Sequence, residues 1–445
     1  MDLLFSHVTA VTMDPARAVL PDAFVGVEDG KIAYLSKKPP EGKPKKIIEA
    51  TGMVMLPGLI NCHAHLGNTV LRGWGDEVDE RTRLSERLYP REEQMDEAAI
   101  RASALLAIAE SLRAGVTSLS CLETDLEAVA GAAAESGIKA NMAPAMSMYL
   151  GDDFDFETYP DCQALVRAVE RYHGYDHGRI HIDAGLHGVY SSTYQLWEAL
   201  SEYAINAHLG LQLHLAETET ENEDALERAG LTPAALLDCH GLLSVPIQAA
   251  GCGCLADEDM ALLARRKATA VHCPLCEEKL GKPSANPAAL VKAGLNVSLG
   301  TGSAAEAGSL DLFRVMRAAC LQSKAKAGDP TALSAEAALL MATVCGAKAQ
   351  GRAAECGMLK LGMDADLVLL DFTQPHLIPC HNVYSNLVYS ASGADVAMTL
   401  VRGQILYAAG EFPTIDLAKV IETLSQAMPR IFADNKEESS QDEGT

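Results

Sequence analysis

The chain has 445 residues, of which 48% are hydrophobic and 22% charged, and its formal net charge is −24 at pH 7. This composition is typical of a globular enzyme with a large core. The acidic balance argues against a nucleic-acid partner, and no apolar run is long enough to span a membrane. The N-terminal segment lacks the basic, apolar and cleavage regions of a signal peptide, so we predict a cytoplasmic location.

Short alternating segments open the chain and return near its end. The predicted strands are 8–11, 24–27, 31–35 and 46–49 in the first block and 366–370, 397–401 and 404–407 in the second. Turn residues such as Asp29-Gly30 separate them, which is typical of strands joined by tight turns. We predict that residues 1–56 and 357–413 together form one small β-sandwich.

Between these blocks, strand-like and helix-like segments alternate. The predicted strands are 116–119, 180–186, 211–215, 247–250, 268–272 and 295–299, and the predicted helices are 98–114, 194–208 and 222–229. Such alternation indicates a parallel α/β fold, and its length favours a (β/α)8 TIM-like barrel over residues 57–356. We further predict a C-terminal helix at 414–435 and, because the last segment is polar and acidic, a disordered tail at 436–445.

Five histidines stand at the ends of predicted strands. His63 and His65 follow the apolar run 54–60, and residues two apart on a strand point to the same side. The other three, His187, His214 and His272, close later strands. Because barrel active sites lie at the carboxyl ends of the strands, and imidazole binds zinc and similar ions, this placement predicts a catalytic mouth.

Glu217 follows His214 by three residues. A metal ion lowers the pKa of a water molecule that it binds, and a nearby glutamate can accept and deliver the protons. This spacing therefore suits one metal ligand beside one proton-transfer group. The alternative for this pair alone is a capping glutamate and a packed histidine.

The chain contains twelve cysteines, which without a secretion signal are expected to be free thiols or metal ligands. Four of them lie at the ends of two consecutive predicted strands, so their thiols can converge: Cys252, Cys254, Cys273 and Cys276. One interpretation is a soft-metal or redox site. The alternative, small residues filling tight positions, is favoured because two cysteines in C-x-C spacing on one strand give poor tetrahedral geometry.

Several motifs in this order resemble the amidohydrolase superfamily. Residues 57–66 (PGLINCHAHL) are similar to its first-strand motif, and 68–76 (NTVLRGWGD) narrow the resemblance to methylthioadenosine/S-adenosylhomocysteine deaminases and triazine chlorohydrolases. Later matches lie at 186–190, 214–218, 272–274, 362–371 and 376–389. The similarity extends from about residue 3 to about residue 425.

This resemblance implies a barrel enzyme that uses one divalent metal ion. The implied metal ligands are His63, His65 and His214, the implied proton shuttle is Glu217, and the implied catalytic residues lining the pocket are His187 and His272. Zinc is the expected ion, while iron, manganese and nickel also suit histidine ligands. The implied reaction is hydrolysis of a carbon–nitrogen bond, of the deaminase or cyclic-amide type, in a small heterocyclic molecule. The branch also implies a homodimer.

Three positions depart from the family pattern. Gly302 stands where the family has an eighth-strand aspartate that binds the metal and acts as base, and Gly251 stands where it has a sixth-strand histidine. Thr82 takes the place of a glutamate that holds ribose in the nucleoside deaminases, so sulfur-containing nucleosides are not favoured as substrates. Glycine has neither a ligand atom nor a base, although three histidines can still hold zinc with a fourth position open.

These departures leave three hypotheses open. The first is an active hydrolase with altered chemistry, supported by the complete set of three histidines and Glu217. The second is a catalytically degenerate homologue that binds a ligand or a partner, and the third is a thiolate-centred metal or redox protein. Residues that can supply a replacement ligand are Cys252, Cys254, Cys276 and Glu277.

Overall fold

The computed structural model describes residues 1–16, 19–149, 151 and 153–433, so the tail predicted at 436–445 lies outside the described residues. The strands are β1 (Leu3–Val11), β2 (Val19–Glu28), β3 (Lys31–Ser36), β4 (Lys46–Glu49), β5 (Met53–Pro57), β6 (Leu59–His65), β7 (Val116–Glu123), β8 (Lys139–Pro144), β9 (Ile180–Ile182), β10 (Ala184–Leu186), β11 (Leu211–Leu215), β12 (Ile247–Gly251), β13 (Thr269–His272), β14 (Asn296–Leu299), β15 (Gly302–Ser303), β16 (Leu367–Asp371), β17 (Val396–Val401) and β18 (Gln404–Ala408).

Helices connect these strands. The α-helices are Glu80–Thr82, Tyr89–Glu92, Glu97–Arg113, Leu126–Ser136, Pro160–Tyr172, Tyr175–Gly178, Tyr194–Asn206, Glu219–Ala229, Pro233–Cys239, Asp257–Arg265, Pro274–Lys279, Pro287–Lys292, Ala304–Ala307, Leu312–Ala327, Ala335–Met341, Val344–Ala349, Val383–Ser385 and Leu417–Ile431. Short 3-10 or π segments are Thr69–Leu71, Arg83–Leu88, Leu242–Ser244, Pro375–Leu377, Asn386–Ser390 and Gly393–Asp395. No helix among the described residues is long and apolar enough to cross a membrane.

The central strands form a closed parallel ring. One five-stranded sheet has the order β15-β6-β7-β8-β9 and the other has the order β10-β11-β12-β13-β14. Strands β9 and β10 are two halves of one strand interrupted at Asp183, and β14 and β15 are two halves interrupted at residues 300–301. Each split strand pairs with one sheet through its first half and with the other through its second half. The ring therefore has eight strand positions, and the predicted barrel is confirmed.

Both chain ends build the second, smaller β domain. Its strands form one hydrogen-bonded sheet in the order β18-β17-β16-β5-β1-β2-β3, with β4 against β1, so the predicted sandwich is a single continuous sheet of eight strands. The two ends meet where β5 pairs antiparallel with β16. The division of the chain at 56/57 and 356/357, and the bounds 414–435 of the terminal segment, stay predictions.

Local sequence explains where the barrel elements begin and end. All eight residues of β7 are buried, as expected for a parallel strand covered on both faces. The helix Leu126–Ser136 begins after Asp125, whose side chain accepts a hydrogen bond from the backbone N–H of Ala128, and it ends at Gly137 with φ +84°. Because the strands of the ring are parallel, their carboxyl ends meet at one mouth.

Candidate active site and metal centre

Three imidazoles converge at the mouth. The ligand atoms of His63, His65 and His214 lie within 4.8 Å of one another, and the Nε2 atoms of His63 and His214 are 3.2 Å apart. His65 donates from Nδ1 to the Leu122 carbonyl at 2.6 Å, and His214 donates from Nδ1 to the His187 carbonyl at 2.7 Å. These bonds leave the Nε2 lone pairs of both rings free for a ligand.

The protonation state of these histidines suits a metal ion. Burial, with a contribution from His65, lowers the pKa of His63 well below its ordinary value and that of His214 to about 3. Both rings are therefore neutral at neutral pH, and the neutral imidazole is the form that binds metals. Three histidine nitrogens with a fourth position open are the donor set of a catalytic zinc site, so these residues fit a divalent ion.

A cleft opens beside the three histidines. Its walls include His65 and His187 together with apolar side chains such as Leu84, Leu88 and Met95. Burial, with His214 and His65, lowers the pKa of His187 to about 3, and its Nδ1 lies 2.9 Å from the Ser191 hydroxyl. The cleft has the mostly apolar lining of a small-molecule site.

Glu217 is a half-buried carboxyl next to a lysine. Burial raises its pKa, and the ammonium of Lys282, whose Nζ lies 3.6 Å from Oε2 of Glu217, opposes that shift. Lys282 also pairs with Glu80 at 3.0 Å, and the backbone N–H of Glu217 donates to the Glu221 carboxylate at 2.9 Å. A carboxyl with a raised pKa can exchange protons near neutral pH, which is what a proton shuttle requires.

Gly251 is linked to the position of Glu217. A Cβ atom at residue 251 would lie 2.6 Å from Cγ of Glu217, and Gly251 has φ +89°, where side chains are strained. The space that a sixth-strand side chain would occupy is thus filled by the aliphatic part of Glu217. A histidine at residue 251 and Glu217 in its observed position therefore exclude each other.

Comparison with known proteins identifies the family. The family model described as "Amidohydrolase family" matches residues 54–406. The chain belongs to the amidohydrolase family. This amidohydrolase is 36% identical over 415 residues to 5-methylthioadenosine/S-adenosylhomocysteine deaminase from Moorella thermoacetica, which covers 92% of this chain and 95% of the relative. It is 34% identical over 432 residues to 5'-deoxyadenosine deaminase from Methanosarcina mazei, covering 97% and 99%.

Solved structures agree with this assignment. An adenosine deaminase from Xanthomonas campestris with bound zinc superposes with a TM-score of 0.90 at 28% identity, covering 97% of this chain and 98% of that one. An atrazine chlorohydrolase from Arthrobacter aurescens, complexed with zinc, shares the fold with a TM-score of 0.87 at 24% identity, covering 96% and 100%. The amidohydrolase is therefore a hydrolase that acts on a carbon–nitrogen bond of a small molecule and uses a divalent metal ion.

His272 and Glu277 form a separate buried pair at the end of β13. Nδ1 of His272 lies 3.3 Å from Oε2 of Glu277. Glu277 also accepts hydrogen bonds from the backbone N–H of Cys273 at 3.1 Å and from the hydroxyl of Ser284. In the described part of the chain, the group that could hold a metal ion consists of His63, His65 and His214, and neither His272 nor Glu277 belongs to it.

The four cysteines considered as a metal or redox site are protonated thiols rather than thiolates. Burial raises the pKa of Cys252, Cys273 and Cys276 above the ordinary thiol value, and raises that of Cys254 to about 11. Thiolates, not thiols, bind soft metals and carry redox chemistry. Among the described residues, none of the four joins the three-histidine group, so the geometry favours the packing interpretation.

Glu123 is a site residue that the sequence interpretation missed. It closes β7, and its carboxylate accepts hydrogen bonds from the backbone N–H groups of Leu66 at 2.6 Å and Gly67 at 3.1 Å. It thereby fixes the chain directly after His65. Burial raises its pKa to about 7, while the charge on His65 and these two bonds oppose the shift. Its place at a strand end is the signal that also marked the histidines.

Glu306 is a second missed carboxylate. Arg83 donates from Nη1 to Oε1 of Glu306 at 3.3 Å, the backbone N–H of Ser303 donates to Oε2 at 3.3 Å, and the Cys276 thiol donates to the same oxygen at 3.7 Å. Burial raises the pKa of Glu306, but His65 and Arg83 together lower it to about 2, so the group is ionised. The pattern Ser303-x-x-Glu306, a capping box, was the available sequence signal.

Thr82 ends the short helix Glu80–Thr82, directly before the segment Arg83–Leu88 that borders the cleft. Its side chain is half-buried, and its hydroxyl donates to Oδ2 of Asp79 at 2.8 Å. The next residue, Arg83, is the one that turns inward, and only 3% of its side chain is exposed. This segment thus brings a guanidinium, rather than a carboxylate, towards the mouth.

Proposed function

We propose that this amidohydrolase removes an exocyclic amino group, as ammonia, from a small nitrogen heterocycle. His63, His65 and His214 would hold zinc, and Glu217 would carry protons. The observation that carries the proposal is the convergence of three imidazoles, of which His63 and His214 have lowered pKa values, beside a carboxyl of raised pKa. The named activities of the relatives from Moorella thermoacetica and Methanosarcina mazei, both deaminations, support the reaction class.

When bound, the ion supplies Lewis-acid activation of water. At an amidine-like ring carbon, the water oxygen forms a bond to carbon and the bond to the exocyclic nitrogen breaks. The two protons of the water end on a ring nitrogen and on the departing ammonia. Glu217 is suited to move these protons because burial keeps its pKa above the ordinary range, and His187 is suited to hold the substrate as a neutral ring in the cleft wall.

The proposed substrates are free heterocyclic amines rather than nucleosides. A glutamate can pair with two hydroxyls of a ribose, whereas Thr82 offers one hydroxyl that is already bonded to Asp79. The apolar walls formed by Leu84 and Leu88 suit the faces of a flat ring. Zinc as the ion, a homodimer and a cytoplasmic location remain predictions of the sequence.

The test is ammonia release by zinc-loaded protein. The panel contains guanine, adenine and amino-triazines, beside 5'-deoxyadenosine, 5'-methylthioadenosine and S-adenosylhomocysteine. We expect wild type and the exposed control Glu278→Gln to release ammonia from a free heterocycle, and Glu217→Gln to be slower by about 10²–10⁴-fold.

The competing function is ligand binding without catalysis, which Gly251 and Gly302 favour. It predicts that calorimetry detects binding of a panel compound while wild type and Glu217→Gln release no ammonia. That outcome would replace the deaminase proposal.

A further inference from the structure

Gly302 leaves the eighth barrel strand, which consists of β14 and β15, without a carboxylate. Glu306, shortly after β15, supplies one. In β15, Gly302 pairs with Ala64 and Ser303 pairs with His65. A Cβ atom at residue 302 would lie 3.4 Å from Oε2 of Glu306. The carboxylate of Glu306 therefore lies in contact with the position that a side chain at residue 302 would take, as does the Cys276 side chain at 3.2 Å. The next strand residue, Ser303, pairs with the candidate metal ligand His65.

Local contacts hold Glu306 in this place. The Ser303 hydroxyl accepts from the backbone N–H of Glu306 at 3.0 Å, and the Ser303 N–H donates back to the carboxylate at 3.3 Å. These two bonds turn the side chain back towards β15 instead of outwards from its short helix. The buried Arg83 pairs with the other carboxylate oxygen. A carboxylate with donors on both oxygens is held in one orientation and stays ionised.

We propose that Glu306 performs the electrostatic task of the missing eighth-strand carboxylate, supplying negative charge beside the metal centre. This inference rests on the proposed function. Oε atoms of Glu306 lie outside the group of ligand atoms that are within 4.8 Å of one another, so Glu306 acts from beside the metal ligands rather than as one of them.

The assignment gives the two carboxylates different tasks. Glu306 stands on the β15 side and supplies charge without being protonated. Glu217, beside Lys282, takes the two protons of the water in turn and delivers one to the ring nitrogen and one to the departing nitrogen. Both protons of the water are then accounted for, one on the ring and one on the ammonia. The cations Arg83 and Lys282 balance the two carboxylates, which keeps each buried charge paired.

The first experiment measures zinc affinity by competition with a chromogenic chelator, on full-length wild type, Glu306→Gln and the exposed control Glu278→Gln. The Gln substitution keeps size and shape but removes the charge. We expect Glu306→Gln to bind zinc about 10–100-fold more weakly, as for other groups that act on a metal from beside its ligands. The control should match wild type. A dissociation constant for Glu306→Gln equal to that of wild type overturns the proposal.

A second variant guards against misfolding of Glu306→Gln. Gly302→Asp restores a carboxylate at the original position, and aspartate tolerates φ +66° better than most residues. We expect Glu306→Gln to weaken zinc binding less in the Gly302→Asp background than in wild type, because the two carboxylates serve one purpose. Equal losses in both backgrounds would show that Glu306 and residue 302 are independent.

Zinc affinity is read without turnover, so the two proposals fail separately. If wild type binds zinc but releases no ammonia, the proposed deamination fails while the Glu306 assignment is still tested by the variants. If wild type deaminates and Glu306→Gln retains full zinc affinity and full rate, the assignment alone is wrong.

Discussion

The two ends of the barrel both bury polar side chains, but they treat them differently. At the base, the guanidinium of Arg352, fully buried, donates to the side chain of Asn141 at 3.0 Å and to the carbonyls of Gly178, Ala140 and Arg179. At the mouth, three imidazoles point their lone pairs at one another. Polar groups that satisfy each other stabilise the fold, whereas groups left unsatisfied are available to a ligand.

The base also joins the barrel to the end sheet. Lys139, the first residue of β8, is fully buried and donates to Asp364 at 2.7 Å and Asp366 at 2.6 Å, two residues that precede β16. Lys31 approaches Asp364 from the solvent side at 2.9 Å. Because every charge here has a partner, this network is expected to serve stability and not catalysis.

The largest expected effect is at the mouth. His214→Ala should reduce zinc content from about one equivalent per chain to nearly none, since two remaining histidines do not complete a catalytic site. The metal-free variant should unfold at a temperature close to that of metal-free wild type. Mass spectrometry after purification without chelator, followed by calorimetry, measures both. Retained zinc would remove His214 from the proposed ligand set.

At the base the effect should be on stability instead. Lys139→Met leaves Asp366 without this ammonium and leaves Asp364 with Lys31 and Arg402 as its remaining cations. Breaking such a buried pair costs about 3–5 kcal/mol of unfolding free energy. The matched control is Lys31→Met at the exposed edge of the network, expected to cost less than about 1 kcal/mol. Urea unfolding measures both, and zinc content of the folded variants should stay at the wild-type level. Equal losses for the two lysines would contradict the comparison.

Sequence patterns predicted the mouth better than the base. β11 was predicted with the bounds that it has, and the histidines closing β6, β11 and β13 were visible because apolar runs led directly to them. β8 was missed, since its sequence KANMAP lacks β-branched residues and places lysine and proline at its ends. The run 54–60 was one predicted segment, but it divides at Gly58, where a Cβ would collide with Oγ1 of Thr117.

Glu306 shows what a linear pattern cannot reveal. Because residue 302 is glycine, a replacement ligand was expected from neighbouring strands, among Cys252, Cys254, Cys276 and Glu277. The carboxylate instead comes from four residues further along the same chain, because the capping box with Ser303 folds the Glu306 side chain backwards. Periodicity identifies which face a strand residue takes, but not the direction of a side chain after a turn.

A smaller effect is expected at Gly251. Gly251→Ala forces a Cβ to within 2.6 Å of Cγ of Glu217 and occupies φ +89°, so we expect a loss of about 1–2 kcal/mol in stability. The rate of ammonia release should fall as well, since Glu217 must move. Gly281→Ala is the control: it has φ +65° but nothing within 4 Å of its Cβ, so it should lose stability without losing rate. A full rate for Gly251→Ala would disprove the link to Glu217.

The smallest and most specific difference is in pH dependence. Burial, with His214 and His65, lowers the pKa of His187 from 6.5 to about 3. Between these two pH values, His187 is therefore protonated in the unfolded chain and neutral in the folded chain. His187 therefore lowers the stability of the folded protein as the pH falls from 6.5 towards 3. At the base, burial raises the pKa of Asp364, but Lys139 and Lys31 together lower it from 3.8 to about 2. That stabilisation is complete above pH 3.8 and is lost as the pH falls towards 2.

Urea unfolding of metal-free protein at several pH values separates these windows. Between pH 6.5 and 4, His187→Gln should lose less stability than wild type, because glutamine does not titrate. Lys139→Met should follow wild type in this range. Below pH 4, Lys139→Met should lose less stability than wild type as the pH falls, since its Asp364 has lost one of the two lysines that lower its pKa. A His187→Gln profile parallel to wild type above pH 4 would mean that folding does not change the protonation of His187. The contrast between the histidine at the mouth and the paired charges at the base would then be wrong.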